Sequence, residues 1–253
     1  MWKRVLIAGA IVMGTAQADA AELNLLVGGA MREPFEEVAQ AYEKRTGNHI
    51  IMTVDNTGAL QRRVGAGEKA DLILLASQGM DALEKENRIV AGTRVDLGRA
   101  VMAVVIRANA QAPDLRTAEA LKRALLSARA VALTDPAGGG TAGVHMARVM
   151  EQMGITDQMR GKIVYRTQGQ FITEAVVKGE ADLGVTFTSE IIPNKGAKIA
   201  ALLPKEVQSP TNYAAAILVG AASPDVAKAF LLEFKTPFAH EAIKKVGLEP
   251  LSN

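Results

Sequence analysis

Short apolar runs alternate with segments of helical periodicity along most of this chain of 253 residues. The runs LNLLV, LILLA and LGVTF each have the length and composition of a buried strand. Between such runs, apolar residues recur at i, i+3, i+4 and i+7, as they do from Phe35 to Tyr42, which is the stripe of an amphipathic helix. Strands separated by helices predict an α/β protein with mostly parallel sheets flanked by helices.

One segment of the chain is echoed by another. VGAGEKADLILL at residues 64–75 is similar to VVKGEADLGVTF at residues 176–187. Each has a helix end, a Gly-Glu pair, Ala-Asp-Leu and then a strand. The echo indicates either two lobes built on one plan or a chance similarity of two α/β turns. Two lobes would place a cleft between the carboxyl ends of their strands, where open α/β sheets bind ligands.

Residues 1–20 have the pattern of a secretory signal peptide. Lys3 and Arg4 precede an apolar run, and small residues follow it in AQADAA. The cleavage site stays open among Ala18, Ala20 and Ala21. A membrane anchor is the less favoured alternative, because the apolar run has about half of the roughly 20 residues that a span needs. We therefore expect a periplasmic protein that is not inserted in the membrane after removal of the signal.

The composition excludes several classes of function. The chain has no cysteine, which excludes disulfides, thiolate metal sites and a cysteine nucleophile. Its three histidines are far apart, although carboxylates alone could still hold a hard cation. The formal net charge is +2 with dispersed basic residues, so the electrostatic signature of nucleic-acid binding is missing. We predict no metal, no cofactor and no nucleic-acid partner.

Four joints between a strand and a helix are rich in glycine. They are GGAMRE (28–33), DNTGAL (55–60), GGGTAG (138–143) and TQGQFI (167–172). Helix starts expose unpaired N–H groups and carry partial positive charge, so an anion can bind there without a lysine. None of the joints matches a phosphate loop or a dinucleotide fingerprint. The four joints together predict that a small anion is held on backbone N–H groups.

The order of these joints, together with three further segments, resembles the periplasmic molybdate-binding proteins of ABC importers. Those segments are the Asp135-Pro136 pair, ADLGVTF and the closing FKTPFAHEAIKKVGLEP. The resemblance implies the two-lobed periplasmic solute-binding fold (type II), with two crossing segments and an anion closed in the cleft. It also implies importer membrane subunits as partners. We assign residues 22–100 plus 215–253 to lobe 1 and residues 101–214 to lobe 2, and we expect a monomer.

The same resemblance marks the ligand positions and exposes departures from the family. Ala30 stands where the family has a serine, and Phe187 stands where it has a tyrosine, whereas Thr57 keeps a hydroxyl. Each lost donor costs about 1–3 kcal/mol, so we expect a di- or tricarboxylate in preference to molybdate, in a larger site. The predicted ligand-binding residues are Gly29, Ala30, Thr57, Gly58, Gly140, Thr141, Ala142, Gly169, Gln170 and Phe187.

A second resemblance is to bacterial aconitate isomerases, and it implies a cofactor-independent proton transfer between cis- and trans-aconitate. Such an enzyme needs an acid/base group, for which His145 and Glu190 are candidates. Arginines could hold the substrate carboxylates, or they could be solvated surface residues. A binding protein is our favoured interpretation and the isomerase is the alternative. The candidate arginines are Arg32, Arg62 and Arg166.

Overall fold

The computed structural model describes residues 20–251, so the predicted signal peptide lies almost wholly outside the described residues. The described chain forms two mixed β-sheets flanked by helices. Within residues 20–251, no helix combines the length and the apolar composition that crossing a membrane requires.

The first sheet has six strands in the order β11-β4-β10-β3-β1-β2. Its central strands are buried, and β3 (LILLA) is enclosed along its whole length. The strands are β1 (Glu22–Gly28), β2 (His49–Asp55), β3 (Leu72–Ala76), β4 (Val95–Ala100), β10 (Thr211–Ile217) and β11 (Glu249–Pro250).

The second sheet has five strands in the order β7-β6-β8-β5-β9. Its middle strand β8 (LGVTF) is buried at every residue, as the apolar run predicts. The strands are β5 (Met102–Arg107), β6 (Val131–Thr134), β7 (Ile163–Arg166), β8 (Leu183–Phe187) and β9 (Ala197–Leu202).

Local sequence explains where the helices begin and end. Asn56 precedes α2 and its side chain accepts a hydrogen bond from the Ala59 N–H at 2.8 Å, while α1 ends at Gly47 with a φ of 77°. The helices are α1 (Arg32–Thr46), α2 (Thr57–Gly65), α3 (Ser77–Lys85), α4 (Ala118–Ser127), α5 (Thr141–Gln152), α6 (Thr156–Met159), α7 (Gly169–Val177), α8 (Pro224–Glu233) and α9 (Pro237–Lys245).

The expectation of mostly parallel sheets is wrong. Four strand pairings are parallel and five are antiparallel. The antiparallel pairings involve β3, β4, β5, β8, β9, β10 and β11. Of these, β4, β5, β9 and β10 flank the places where the chain passes from one sheet to the other. Strands that enter or leave a sheet in this way reverse the local direction, whereas the βα units elsewhere keep it parallel.

The chain passes between the sheets twice, after β4 and after β9. The first passage is a single residue, Val101, and the second covers residues 203–210. Strand β10 belongs to the first sheet from Thr211 onwards, a few residues before the predicted boundary at 215. The exact limits of the two lobes stay a prediction.

The echoed Ala-Asp-Leu segments occupy equivalent places in the two sheets. Asp71 precedes β3, and its Oδ2 accepts the Asn24 N–H at 2.8 Å. Asp182 precedes β8, and its Oδ2 accepts the Arg129 N–H at 2.7 Å. Each carboxylate therefore fixes the start of one strand against a neighbouring segment, which is the pattern expected of two units built on one plan.

Candidate functional site

A small cavity lies where the two sheets face each other, and residues of both line it. Its volume is about 30 Å³. This space is sufficient for a water molecule or two, so the cleft is nearly shut in the described state. Eight of the ten predicted ligand-binding residues line this interlobe cavity, namely Gly29, Ala30, Thr57, Gly140, Thr141, Ala142, Gly169 and Phe187.

Four helical starts converge on the interlobe cavity. A 3₁₀ turn begins at Gly29 and α2 begins at Thr57, both connected to the first sheet. Helix α5 begins at Thr141 and α7 begins at Gly169, both connected to the second sheet. Because the start of a helix carries partial positive charge, the cavity wall favours a negative ligand.

Interlobe hydrogen bonds hold the cleft shut beside the cavity. The Gly58 N–H donates to the Gly139 carbonyl at 3.2 Å, and the Asn56 side-chain amide donates to the Thr167 carbonyl at 3.1 Å. On the same side, the Gln168 amide donates to the Val54 carbonyl at 3.1 Å. The glycine joints therefore serve closure as well as the cavity wall.

Thr134 contributes a buried hydroxyl that sequence reasoning missed. Its side chain is 5% exposed and lines the interlobe cavity at the end of β6. Among the described residues, its Oγ1 has no hydrogen-bond partner. A buried polar group without a partner costs free energy, so Thr134 is an unsatisfied residue in the wall of the cavity. Its position just before Asp135-Pro136 was the only signal in the sequence.

Tyr213 contributes a second missed hydroxyl. It lies on β10 of the first sheet, is 3% exposed and lines the cavity beside Phe187 of the second sheet. Burial raises the pKa of Tyr213 well above its ordinary value, and the nearby charge of Glu190 adds to the shift, while a hydrogen bond with Thr141 opposes it. The phenol therefore stays protonated and can donate to an anion. Nothing in the local sequence around Tyr213 signals this role.

Glu190 places a carboxyl group in the cavity wall. Its Oε2 accepts hydrogen bonds from the Thr186 hydroxyl at 2.5 Å and from the Phe187 N–H at 3.4 Å. The residue keeps partial exposure, but protein surrounds its carboxyl group, and this burial raises the pKa of Glu190. Hydrogen bonds from Thr186, Phe187 and the Gly169 N–H act in the opposite direction. The site therefore contains a carboxyl group whose protonated form is favoured more than that of an exposed glutamate.

Two predicted ligand-binding residues do not line the cavity. The Gly58 N–H donates a hydrogen bond to the Gly139 carbonyl, because closure of the cleft brings these two backbone segments together. The Gln170 side chain turns to the outside of the cleft, where its Oε1 accepts from Arg32 Nη1 at 2.5 Å. The expected larger site is also corrected, since the Ala30 methyl group and the closed lobes leave only about 30 Å³.

The candidate arginines of the sequence lie outside the cavity as well. Arg32 pairs with Glu36, Arg62 donates to the Gly138 carbonyl, and Arg166 pairs with Glu180. His145 is also absent from the cavity wall, and its Nε2 donates to the Val207 carbonyl at 2.7 Å. Of the two acid/base candidates, Glu190 alone reaches the cavity. Among residues 20–251, no group of three His, Asp or Glu side chains is arranged to hold a metal ion.

A family model described as "Bacterial extracellular solute-binding protein" matches residues 23–249. An aconitate isomerase from a Pseudomonas species is 29% identical over 96% of this chain and 95% of its own length. The molybdate-binding protein ModA of Escherichia coli is 26% identical over 93% of this chain and 92% of its own length. The sequence is thus similar along its full described length to a binding protein and to an enzyme.

The fold is also that of solved binding proteins. The periplasmic molybdate-binding protein of Azotobacter vinelandii superimposes with a TM-score of 0.73, covering 91% of this chain and all of that one at 20% identity. This likeness shows the two-domain fold, in which the cavity described above falls between the domains. The predicted α/β class with a cleft between two lobes is confirmed at this level.

Proposed function

Because this chain belongs to the bacterial extracellular solute-binding proteins, we propose that it closes on a small anion and delivers it to an importer in the membrane. One observation carries the proposal. Thr134, whose buried hydroxyl has no hydrogen-bond partner among the described residues, lines the same closed cavity as four helical starts. One bound oxyanion would interact favourably with the positive helix starts and would accept a hydrogen bond from the unsatisfied hydroxyl.

We further propose that the anion is a carboxylate. Glu190 supports this choice, because an ionised Glu190 would repel any anion, whereas a ligand carboxylate can share one proton with a carboxyl group of the same kind. Burial raises the pKa of Glu190, so a protonated Glu190 can donate a hydrogen bond to a ligand carboxylate, or the two groups can share one proton. Tyr213 and Thr134 bring hydroxyl groups to a site in which Phe187 and Ala30 have none. The missing hydroxyls at Phe187 and Ala30 therefore argue less strongly against molybdate than the sequence alone suggests.

The isomerase remains a second candidate, and the position of Glu190 favours it. An ionised Glu190 would take an allylic proton from the methylene carbon of aconitate. The electron pair left behind forms the new double bond, and the electrons of the old double bond take up a proton at its far carbon. Burial raises the pKa of Glu190, which makes its carboxylate a stronger base than that of an exposed glutamate. His145 is less suited, because it lies outside the cavity.

Two measurements on the same sample test both candidates. Thermal unfolding with molybdate, sulfate, citrate and trans-aconitate ranks the anions by how much each raises the melting temperature. A ligand at about 100 times its Kd raises the free energy of unfolding by about 2.7 kcal/mol. A large shift with molybdate and none with the carboxylates would reverse the proposed ligand class. The absence of a shift with every anion would overturn anion binding itself.

Proton NMR of trans-aconitate in D₂O tests the enzyme. Isomerisation would produce cis-aconitate and place deuterium on the carbon that receives the new proton. Wild type that binds trans-aconitate without producing the cis isomer above a protein-free control is a binding protein. If turnover occurs, Glu190→Gln should remove it while His145→Gln should keep it.

A further inference from the structure

A second and larger pocket adjoins the interlobe cavity on the side of the chain crossings. Its volume is about 620 Å³, and it shares the residues Thr57 and Thr141 with the cavity. Its other polar side chains include Arg99, His145 and Arg148. We call it the arginine pocket. Among the described residues that line it, none is an aspartate or glutamate.

The wall between the cavity and the arginine pocket is thin and belongs to both lobes. The hydroxyls of Thr57 and Thr141 meet there at 3.4 Å. Thr57 begins α2 beside the first sheet, and Thr141 begins α5 beside the second sheet. A small opening of the cleft therefore separates the two hydroxyls and joins the cavity to the pocket.

Helix α5 carries polar groups from the cavity into the pocket along one face. Thr141, His145 and Arg148 stand at i, i+4 and i+7, so they share a face of the helix. Arg148 lies about 10 Å further along the helix axis than Thr141. Side chains leave a helix tilted toward its N-terminus, and the N-terminus of α5 is the end that lines the cavity.

The two arginines differ in how far they are already engaged. Arg99 donates to the Asn212 side chain at 3.0 Å and pairs with Glu249 at 3.3 Å. Arg148 is exposed in the pocket wall. The His145 Nε2 is used on the Val207 carbonyl, which leaves Nδ1 as its second polar atom. Arg148 is therefore the group best placed to take a second negative charge.

We propose that the arginine pocket is the subsite for the remainder of a polycarboxylate whose first carboxylate occupies the interlobe cavity, with Arg148 binding a second carboxylate. This proposal rests on the proposed function, because it extends the same site. It explains how a cavity of about 30 Å³ serves a larger ligand, since only one carboxylate has to fit inside it. The planar fork of an arginine matches a carboxylate and gives a charge-assisted hydrogen bond.

A series of carboxylates with one, two and three acidic groups tests the subsite by titration calorimetry. The probes are acetate, succinate and tricarballylate, with trans-aconitate as the unsaturated member. Wild type should bind the tricarboxylates more tightly than acetate. Arg148→Gln should weaken tricarboxylate binding by about tenfold to a hundredfold and leave acetate binding unchanged. Arg123→Gln on α4, an exposed arginine outside both cavities, is the matched control and should bind every probe as wild type does.

The outcomes separate this subsite from the function on which it rests. If Arg148→Gln binds tricarballylate as tightly as wild type, the subsite is wrong while anion binding stands. The same conclusion follows if Arg148→Gln weakens the binding of acetate and of tricarballylate by equal factors. Arg148 would then act only through the long-range electrostatic field of its charge. If wild type binds molybdate or sulfate and no carboxylate, the subsite is wrong and the anion function stands. If no anion binds at all, both proposals fail together.

Discussion

The ring of Tyr213 packs edge-on against the ring of Phe187, with 5.9 Å between their centroids and 84° between their planes. The first ring belongs to β10 and the second to β8, so the contact joins the two sheets across the site. A phenol hydroxyl therefore reaches the cavity from the first sheet, although the matching position on the second sheet has lost its hydroxyl. The hydrogen-bond donors of the site therefore cannot be inferred from the residue at position 187 alone.

Tyr213→Phe should weaken anion binding by about tenfold or more, because it removes one hydrogen bond to a charged ligand. The free energy of unfolding without ligand should change little, since the ring contact with Phe187 is kept. Calorimetric titration measures the first effect and denaturant unfolding the second. Tyr42→Phe, which removes the hydroxyl of a buried tyrosine in α1, is the control and should bind as wild type does. Equal affinity of Tyr213→Phe and wild type would contradict the role of the phenol.

Glu190→Gln should change how stability depends on pH. Burial raises the pKa of Glu190 in the folded state, so the folded protein holds a proton that the unfolded chain releases. This contribution is complete below the ordinary glutamate pKa of about 4.5 and is lost as pH rises through the raised value. The free energy of unfolding of wild type, measured relative to that of Glu190→Gln, should therefore fall as pH rises above about 4.5.

Other ionisable groups near Glu190 need a control in that experiment. Tyr213 and Asp55 line the same cavity, and a pocket on the outer side of Glu190 is lined by Arg32, Glu33, Glu174 and Lys195. Glu174→Gln is a suitable control, because this half-buried residue of α7 pairs with Lys178, which directly follows the helix. Its pH profile should follow that of wild type. If the difference in free energy of unfolding between wild type and Glu190→Gln does not change across the same pH range, the prediction is wrong.

Gly58→Ala should block closure of the cleft. A Cβ atom added at Gly58 would lie 2.7 Å from the Cα of Gly139 in the opposite lobe, and a backbone atom cannot move aside cheaply. Ligand affinity should fall by about tenfold or more, while far-UV circular dichroism stays that of wild type. Small-angle X-ray scattering with saturating ligand should show a larger radius of gyration than wild type. Gly65→Ala at the end of the same helix meets nothing within 4 Å and is the control.

Gly139 is the less suitable position for that test. Its φ is 79°, so any side chain there strains the backbone in addition to meeting Gly58. A loss of binding in Gly139→Val would therefore combine two effects. If Gly58→Ala closes and binds like wild type, the tight approach of the two loops is not needed for function.

Thr134→Val should stabilise the ligand-free protein by up to about 1 kcal/mol and weaken anion binding by about tenfold. The reason is that the Thr134 hydroxyl is buried without a partner, so its removal relieves a cost in the empty site. Thr173→Val is the contrasting variant, because that hydroxyl donates to the Glu190 carbonyl at 2.8 Å and its loss should destabilise the protein. Unfolding and titration of both variants give the comparison. Destabilisation of Thr134→Val with unchanged affinity would assign the hydroxyl to the fold alone.

Several elements could not be predicted from the sequence because their neighbours decide them. Strand β4 (VDLGRA) has no apolar run, and it forms because β10 and β11 pair with it on either side. Strand β9 is a half-buried edge of the second sheet and carries no strong strand signal. Helix α3 follows β3 without a loop, so no turn residue marks its start. Pairing energy supplied by distant strands overrides weak local preference in such segments.

The sequence by itself determined the strand and helix alternation and the four glycine-rich helix starts, because apolar periodicity, capping residues and glycine act on neighbouring residues. Together with the resemblance to the molybdate-binding family, it predicted eight residues that line the cavity. Only the tertiary structure decided that Thr134, Glu190 and Tyr213 meet there. These residues lie on β6, after β8 and on β10, and their approach results from the two crossings of the chain between the sheets. Long-range strand pairing fixes such approaches, and no local pattern in the chain encodes the distance between one strand and another.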